Sequence, residues 1–239
     1  MEKLKDDQLE AFDTEYVHDQ RWAPIARCID RDFADRPFTF LDIGGGNGIF
    51  ADRVLAHYPN ARGVVLDNAQ MLLDRNKPQE RKRVVLGSAE DLATCCPGEH
   101  FDLIFFNWVL HHLVDGSSFS NTRRYVDQAL HGAKGLLASG GRISIFENMY
   151  NGLVLDGLPG WLVYQLTSAK AIAGLVRRGG ANTAGAGVCF RSRRQWEEVF
   201  TGCGLQILDY TDDKKWKIPL AYHVFLHIGN LRCGHLWLA

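Results

Sequence analysis

The feature that most constrains this chain is a glycine-rich turn set between two hydrophobic patterns. Phe38 to Ile43 is a short apolar run, and Ile49 to His57 has helical spacing with Val54 and Leu55 inward. Between them lies Gly44-Gly45-Gly46-Asn47-Gly48. A strand that ends in glycines and passes straight into a helix is the opening unit of a strand–helix–strand fold. Without side chains, the turn also lets a ligand approach the backbone closely.

The alternation repeats. Gly63–Leu66, Val84–Leu86, Phe101–Phe106 and Arg142–Phe146 are further apolar runs. Helical stretches separate them, one starting at Met71 and one carrying Val126, Leu130, Ala133 and Leu137 before Gly140-Gly141. Runs that are continuous rather than alternating suit strands covered by helices on both faces. The expected fold class is therefore α/β: a Rossmann-like, doubly wound seven-stranded sheet, mostly parallel with an antiparallel last strand. Leu205–Tyr210 and His223–Ile228 are the expected closing strands. Ahead of them, Trp196, Val199, Phe200 and Cys203 form a helix stripe that starts at a Ser192–Gln195 capping box and stops at Gly204.

The flanks read differently. Leu9, Phe12 and Tyr16 fall at i, i+3 and i+7 of an N-terminal helix, and Pro24 suits the first turn of a second. From Asn151 to Phe190 the alternation lapses for longer than a plain loop allows. Helical pieces around Trp161–Leu166 and Ala169–Val176, then a glycine-rich tail, mark an inserted lid. The expectation is a single domain: N-terminal helices (1–36), a ligand-binding core (37–150), the lid (151–190), and a helix with closing strands (191–239).

Composition narrows the function classes. A length of 239 residues fits one large domain. A net charge of −1 gives no general attraction for nucleic acid. The charged start Met1–Asp7 is not a signal peptide, and no apolar run is long enough to span a bilayer, so a cytoplasmic chain is expected. The six cysteines are scattered, which suits reduced thiols. Cys233-Gly234-His235 is too small a cluster to argue for a metal, and none is expected.

The residues around the turn choose among ligands. A phosphate loop would end in lysine, but Gly48 is followed by Ile49-Phe50. A dinucleotide turn wants glycine or alanine three residues after Gly46, where Ile49 stands. The turn opens with an acid, Asp42, which suits a cationic, amino-acid-like ligand. Asp67 ends the second strand, where an acid can take two ribose hydroxyls; its plainer role is a helix N-cap.

These residues resemble the class I S-adenosylmethionine-dependent methyltransferases of the small-molecule group. The likeness rests on Leu41–Gly48, Val64-Val65-Leu66-Asp67, Gly87–Leu92, Phe101–Ile104, Asn107–Leu113 and Gly140-Gly141-Arg142, in that order. It implies S-adenosylmethionine as cofactor. Asp42, Gly44, Gly45, Gly46 and Gly48 would line its methionine part, Asp67 its ribose, and Asn68, Ser88 and Ala89 its adenine. Ser88 stands where the family often has an acid. Asn107 and Trp108 would lie where cofactor and substrate meet. Tyr16 and Arg21 would close over the site, although a surface role for Arg21 is the plainer one.

Methyl transfer is a one-step in-line displacement, so alignment and exclusion of water do most of the work. A base is needed only when the acceptor must lose a proton. His111 and His112 are candidate bases beside plain capping and packing roles, and Glu147 is another. Trp161 and Tyr164 of the lid are candidate substrate contacts. Arg177, Arg178, Arg191, Arg193 and Arg194 flank the lid and read as solvated. The expected reaction is O-methylation of a small aromatic or apolar metabolite, followed by N- and then C-methylation. The expected partner is that small molecule, not nucleic acid or a membrane span; the oligomeric state stays open. A nicotinamide oxidoreductase and a non-catalytic cofactor-binding protein are the rival readings, and the lid could also meet a membrane surface.

Overall fold

The computed structural model describes residues 18–33, 36–178, 183–213 and 216–239. Chain order is α1 (Asp19–Phe33), β1 (Thr39–Ile43), α2 (Ile49–His57), β2 (Arg62–Asp67), α3 (Gln70–Leu73), β3 (Lys82–Leu86), α4 (Leu92–Cys95) and β4 (Phe101–Asn107). There follow a short 3-10 turn (Leu110–His112), α5 (Asn121–Gly135), β5 (Leu137–Gly152) and α6 (Gly157–Ser168). The chain continues through α7 (Ala173–Arg178), α8 (Arg193–Gly202), β6 (Ile207–Asp212), α9 (Leu220–Phe225) and β7 (Ile228–Leu238).

The seven strands form one sheet in the order β3-β2-β1-β4-β5-β7-β6. β1 to β5 pair in parallel, and β7 runs antiparallel to both β5 and β6. The strand order reverses between β1 and β4, the place where open α/β sheets bind ligands beyond their carboxyl ends. Each face of the sheet has its own core. α1 and α2 cover Phe40, Phe105 and Trp237 with Ile25, Ile29 and Val54. α5 and α8 cover Leu41, Ile104 and Phe106 with Val126, Leu130, Trp196 and Phe200. β4 is apolar almost throughout because it is buried on both faces.

Asp32 ties α1 to the sheet. Its Oδ2 accepts from Arg142 Nε and Trp237 Nε1, both at 2.8 Å. Against the cost of burial, hydrogen bonds from Arg31, Trp237 and Arg142 hold its carboxyl down to about 2.

Several elements differ from the sequence expectation. His223–Ile228 is not a strand: Leu220–Phe225 is helical behind Pro219, and the closing strand is Ile228–Leu238. Gly229, Asn230, Arg232, Gly234 and His235 break the apolar run of that strand, which is why it does not stand out. Pro24 sits inside α1, which begins at Asp19. The helix that starts near Met71 is a single turn, and so is α4. β3 is consequently not covered on both faces: Val84 and Leu86 are exposed. β5 runs well beyond Phe146, to Gly152. The Ser192–Gln195 capping box is present, with Ser192 Oγ accepting from Gln195 N at 3.2 Å. The helix expected on Leu9, Phe12 and Tyr16 lies outside the described residues.

Candidate active site

The carboxyl ends of β1, β2, β4 and β5 converge on the glycine turn. Gly44, Gly46 and Gly48 all have positive φ. Gly44 is the most constrained: at φ +71°, a Cβ would stand 2.2 Å from Val109 Cγ2. Only glycine meets both demands, and the turn then closes back on β2 through Gly44 N to Leu66 O at 2.7 Å. Asn76 supports it from outside, donating Nδ2 to Gly46 O at 2.8 Å.

Two acids face this turn. Asp67 accepts from Gly46 N at 3.0 Å and from Ala69 N at 2.9 Å. It therefore orients the loop and also bonds the start of α3. Burial pushes its carboxyl up, while the Ala69, Gly46 and Asn68 amides pull it back in part. Asp42 is fully enclosed, and its Oδ2 has no hydrogen-bond partner among the described residues. Burial first, then the charge of Asp67, pushes Asp42 up to about 8; Lys82 and the nearby Asn107 amide offset part of this. Asn107 ends β4, and neither of its amide atoms meets a partner at hydrogen-bond geometry. A carboxyl and an amide left unmatched beside a glycine turn are the groups a polar, cationic ligand would satisfy.

On the far side of Asn107 the chain makes a strained turn. Trp108 has φ +55°, donates its N–H to Phe146 O at 2.8 Å, and stacks on the Phe146 ring at 5.1 Å. The Arg21 guanidinium lies 5.0 Å from the Trp108 ring and 5.7 Å from that of Trp216. Its Nε donates to Asp213 Oδ2 at 3.1 Å. Arg21 thus sits against Trp108 as a partly buried ion pair and not as a solvated surface arginine.

The 3-10 turn after β4 carries the two histidines. The parallel register sets Asn107 beside Phe146, so Glu147 lies just beyond the end of β4. Fully buried, Glu147 takes the Leu110 amide on Oε1 at 2.9 Å and His111 Nδ1 on Oε2 at 2.7 Å. The His111 ring packs on Phe190 at 4.6 Å and on His112 at 4.1 Å. Burial, and secondarily His111, hold His112 well below the ordinary histidine range. Phe190 in turn stacks on Tyr150 at 4.2 Å.

The remaining candidates are spread more widely. Ala89 is buried and Ser88 half-buried after β3; Asn68 follows β2. Tyr164 is buried beside Val114, Cys189 and Phe119, while Trp161 is 42% exposed. Tyr16 lies outside the described residues. Arg191 is a correction: it is buried, donates to Thr122 Oγ1 at 3.2 Å, and lies over Trp196. Arg193 and Arg194 are exposed and paired with Glu197, Glu198 and Asp156. Asn76, Asp213, Phe190 and Trp216 were not singled out, and their only signal is tertiary.

A cleft of about 450 Å³ opens at the opposite edge, under the N-terminal ends of β1 to β4. Among its charged lining groups, Lys82 pairs with Asp52 and Arg83 with Glu99.

Residues 41–143 match the family described as a methyltransferase domain. Over these residues the chain is similar to a methyltransferase domain. Its fold is similar to that of LepI solved with S-adenosylhomocysteine and a substrate analogue: 16% identity, 95% of this chain and 51% of that chain, TM-score 0.57. It is also similar to the methyltransferase CalO6, at 20% identity, 97% and 64% coverage, and TM-score 0.55. The N-methyltransferase NodS from Bradyrhizobium japonicum WM9, solved with S-adenosylhomocysteine, matches end to end at 14% identity, 98% of each chain and TM-score 0.56. The chain spans about half the length of LepI and under two thirds of CalO6. No curated protein matches the chain.

Proposed function

We propose that this methyltransferase domain methylates a hydroxyl of a small aromatic or apolar metabolite, with His111 as the base. Bound S-adenosylmethionine supplies a methyl group already activated on a sulfonium. The backbone of Gly44–Gly48, with Asp67, Asn68, Ser88 and Ala89, holds the cofactor, and Asp42 and Asn107 satisfy its charged end. The chain's own work is to align the acceptor, exclude water and take one proton.

The single observation that carries this reading is the His111–Glu147 pair. A buried carboxylate on Nδ1 fixes the tautomer in which Nδ1 bears the proton and Nε2 can accept one. Glu147 therefore acts as a positioning residue, stabilising the imidazolium once the proton has moved. An acceptor that must lose a proton, such as a hydroxyl, makes use of this pair. His112, held neutral, packs beside it. Phe190 and Tyr150 give the acceptor an aromatic wall, and Tyr164 is a further candidate substrate contact.

The test is transfer of a labelled methyl group from S-adenosylmethionine into fractions of a cell extract. Label in small molecules, released as methyl iodide by hot hydriodic acid under conditions that leave N-methyl groups in place, is the expected result. Label in protein or nucleic acid overturns the reading.

Asp42 adds a pH dependence. Its folded pKa of about 8 lies far above the unfolded value near 4, so the folded chain holds an extra proton between those limits. A cationic ligand beside Asp42 favours the carboxylate, so binding expels that proton. Affinity for S-adenosylmethionine should therefore rise with pH and level off above about 8. Calorimetry in buffers of different ionisation enthalpy should show proton release near pH 7, and Asp42→Asn should abolish it.

A further inference from the structure

Arg191 is a buried cation with no acid bonded to it among the described residues. It is 6% exposed, and its guanidinium donates to Cys189 O at 3.4 Å and Thr122 Oγ1 at 3.2 Å, over the Trp196 ring at 5.1 Å. All three partners are neutral. An enclosed charge is costly unless an opposite charge balances it. Of the described acids only Asp42 and Glu147 are buried, and Asp42 stands on β1 at the glycine turn.

The sheet register brings Arg191 to Glu147. β7 occupies one edge of β5 along its length. On the other edge β4 stops at Asn107, opposite Phe146. Arg191 takes up that edge further along: it bridges Met149 in parallel, and Tyr150 N donates to Arg191 O at 3.1 Å. Alternate residues of a strand share a face. Ile145 and Met149 belong to the core under α5 and α8, so Glu147 between them faces the same way. Arg191 reaches Thr122 of α5 and Trp196 of α8, which puts it on that face as well. The segment that carries Arg191 also holds the histidine turn. Cys189 N donates to His111 O at 2.9 Å, and the Phe190 ring packs on that of His111.

We propose that Arg191 is a positioning residue for the His111–Glu147 pair: its charge keeps Glu147 a carboxylate, and so keeps the ring proton of His111 on Nδ1. The inference rests on the reading of His111 as the base. A protonated Glu147 would donate to Nδ1, and the ring would then carry its hydrogen on Nε2, where it could accept nothing from the substrate. A purely structural Arg191, tying its segment to α5, would need only the bonds to Thr122 and Cys189.

Two variants separate charge from bonding. Arg191→Gln can still donate to Thr122 Oγ1 but carries no charge, whereas Arg191→Lys keeps the charge without the planar fork. NMR of the ring nitrogens in histidine-labelled protein reads the tautomer, with the His111 signals assigned by their loss in His111→Gln. Wild type should carry the hydrogen on Nδ1. Arg191→Gln should move it to Nε2 and lower kcat by about tenfold or more, with KM for S-adenosylmethionine nearly unchanged. Arg191→Lys should keep the wild-type tautomer and most of kcat. An Arg191→Gln protein with the wild-type tautomer overturns the proposal. So does an Arg191→Lys protein that loses that tautomer, because shape and bonding would then account for the residue; this arm decides even if Arg191→Gln does not fold. A wild-type ring with its hydrogen on Nε2 overturns the proposal and the reading of His111 together. A wild-type protein with the Nδ1 tautomer that transfers no methyl group fells the methyl-transfer reading alone and leaves the tautomer result standing.

Discussion

Replacing His111 with glutamine is expected to lower kcat by about 10²–10⁴ while leaving S-adenosylmethionine affinity unchanged. On the proposed reading the side chain serves the acceptor and not the cofactor: its Nδ1 is bound to Glu147 and its ring packs on Phe190. Glu147→Gln offers a sharper test. Its amide oxygen can still receive the Leu110 N–H, but its NH2 would donate to Nδ1 and push the ring proton to Nε2. Turnover should fall nearly as far as in His111→Gln, with little change in KM. Steady-state kinetics alongside cofactor calorimetry read both variants. A His111→Gln enzyme with wild-type kcat would remove the base and point to an acceptor, such as a neutral amine, that needs none.

Asp67→Ala should weaken S-adenosylmethionine binding by about 100-fold or more, since each lost hydrogen bond to a charged group is worth roughly 1.5–3 kcal/mol. The effect has two sources. The carboxylate would take the ribose hydroxyls, and it already holds Gly46 N and Ala69 N. Asp67→Asn separates them: it keeps one acceptor for the loop and loses the charge, so it should retain most of the thermal stability while still binding weakly. Calorimetric titration gives the affinity and thermal unfolding the stability. An Asp67→Ala protein that binds as tightly as wild type sinks the ribose assignment and leaves Asp67 as a support for the turn.

The central strands and the glycine turn are legible because each depends on local pattern. β1, β2 and β4 are apolar runs bounded by turns, and Gly44 stands where a side chain would meet Val109. The His111–Glu147 contact is different in kind. Both residues are visible as chemistry, but they stand 36 positions apart and are brought together by the β4–β5 register. Arg21 and Asp213 are 192 positions apart, so their pairing has no local trace. β7 escapes because its pairing with both β5 and β6 satisfies a backbone whose side chains include Asn230, Arg232 and His235. Burial of those polar side chains is decided by what packs on them: Ser144 Oγ meets His235 Nε2 at 3.0 Å.

The order β5-β7-β6 has a consequence for how the chain is made. β6 leaves the ribosome before β7, yet among the described residues β7 is its only partner in the sheet. Until β7 arrives, β6 has no ladder, and the outer edge of β5 presents Ile143, Ile145 and Phe146 with unpaired backbone. Such an edge is a template for pairing with another nascent chain. A ribosome that pauses between Asp212 and Ile228 would hold the protein in this state, with most of its sheet formed and one apolar edge open. Folding yield in the cell should therefore respond to translation speed and chaperone supply over that short stretch more than over any other part of the chain.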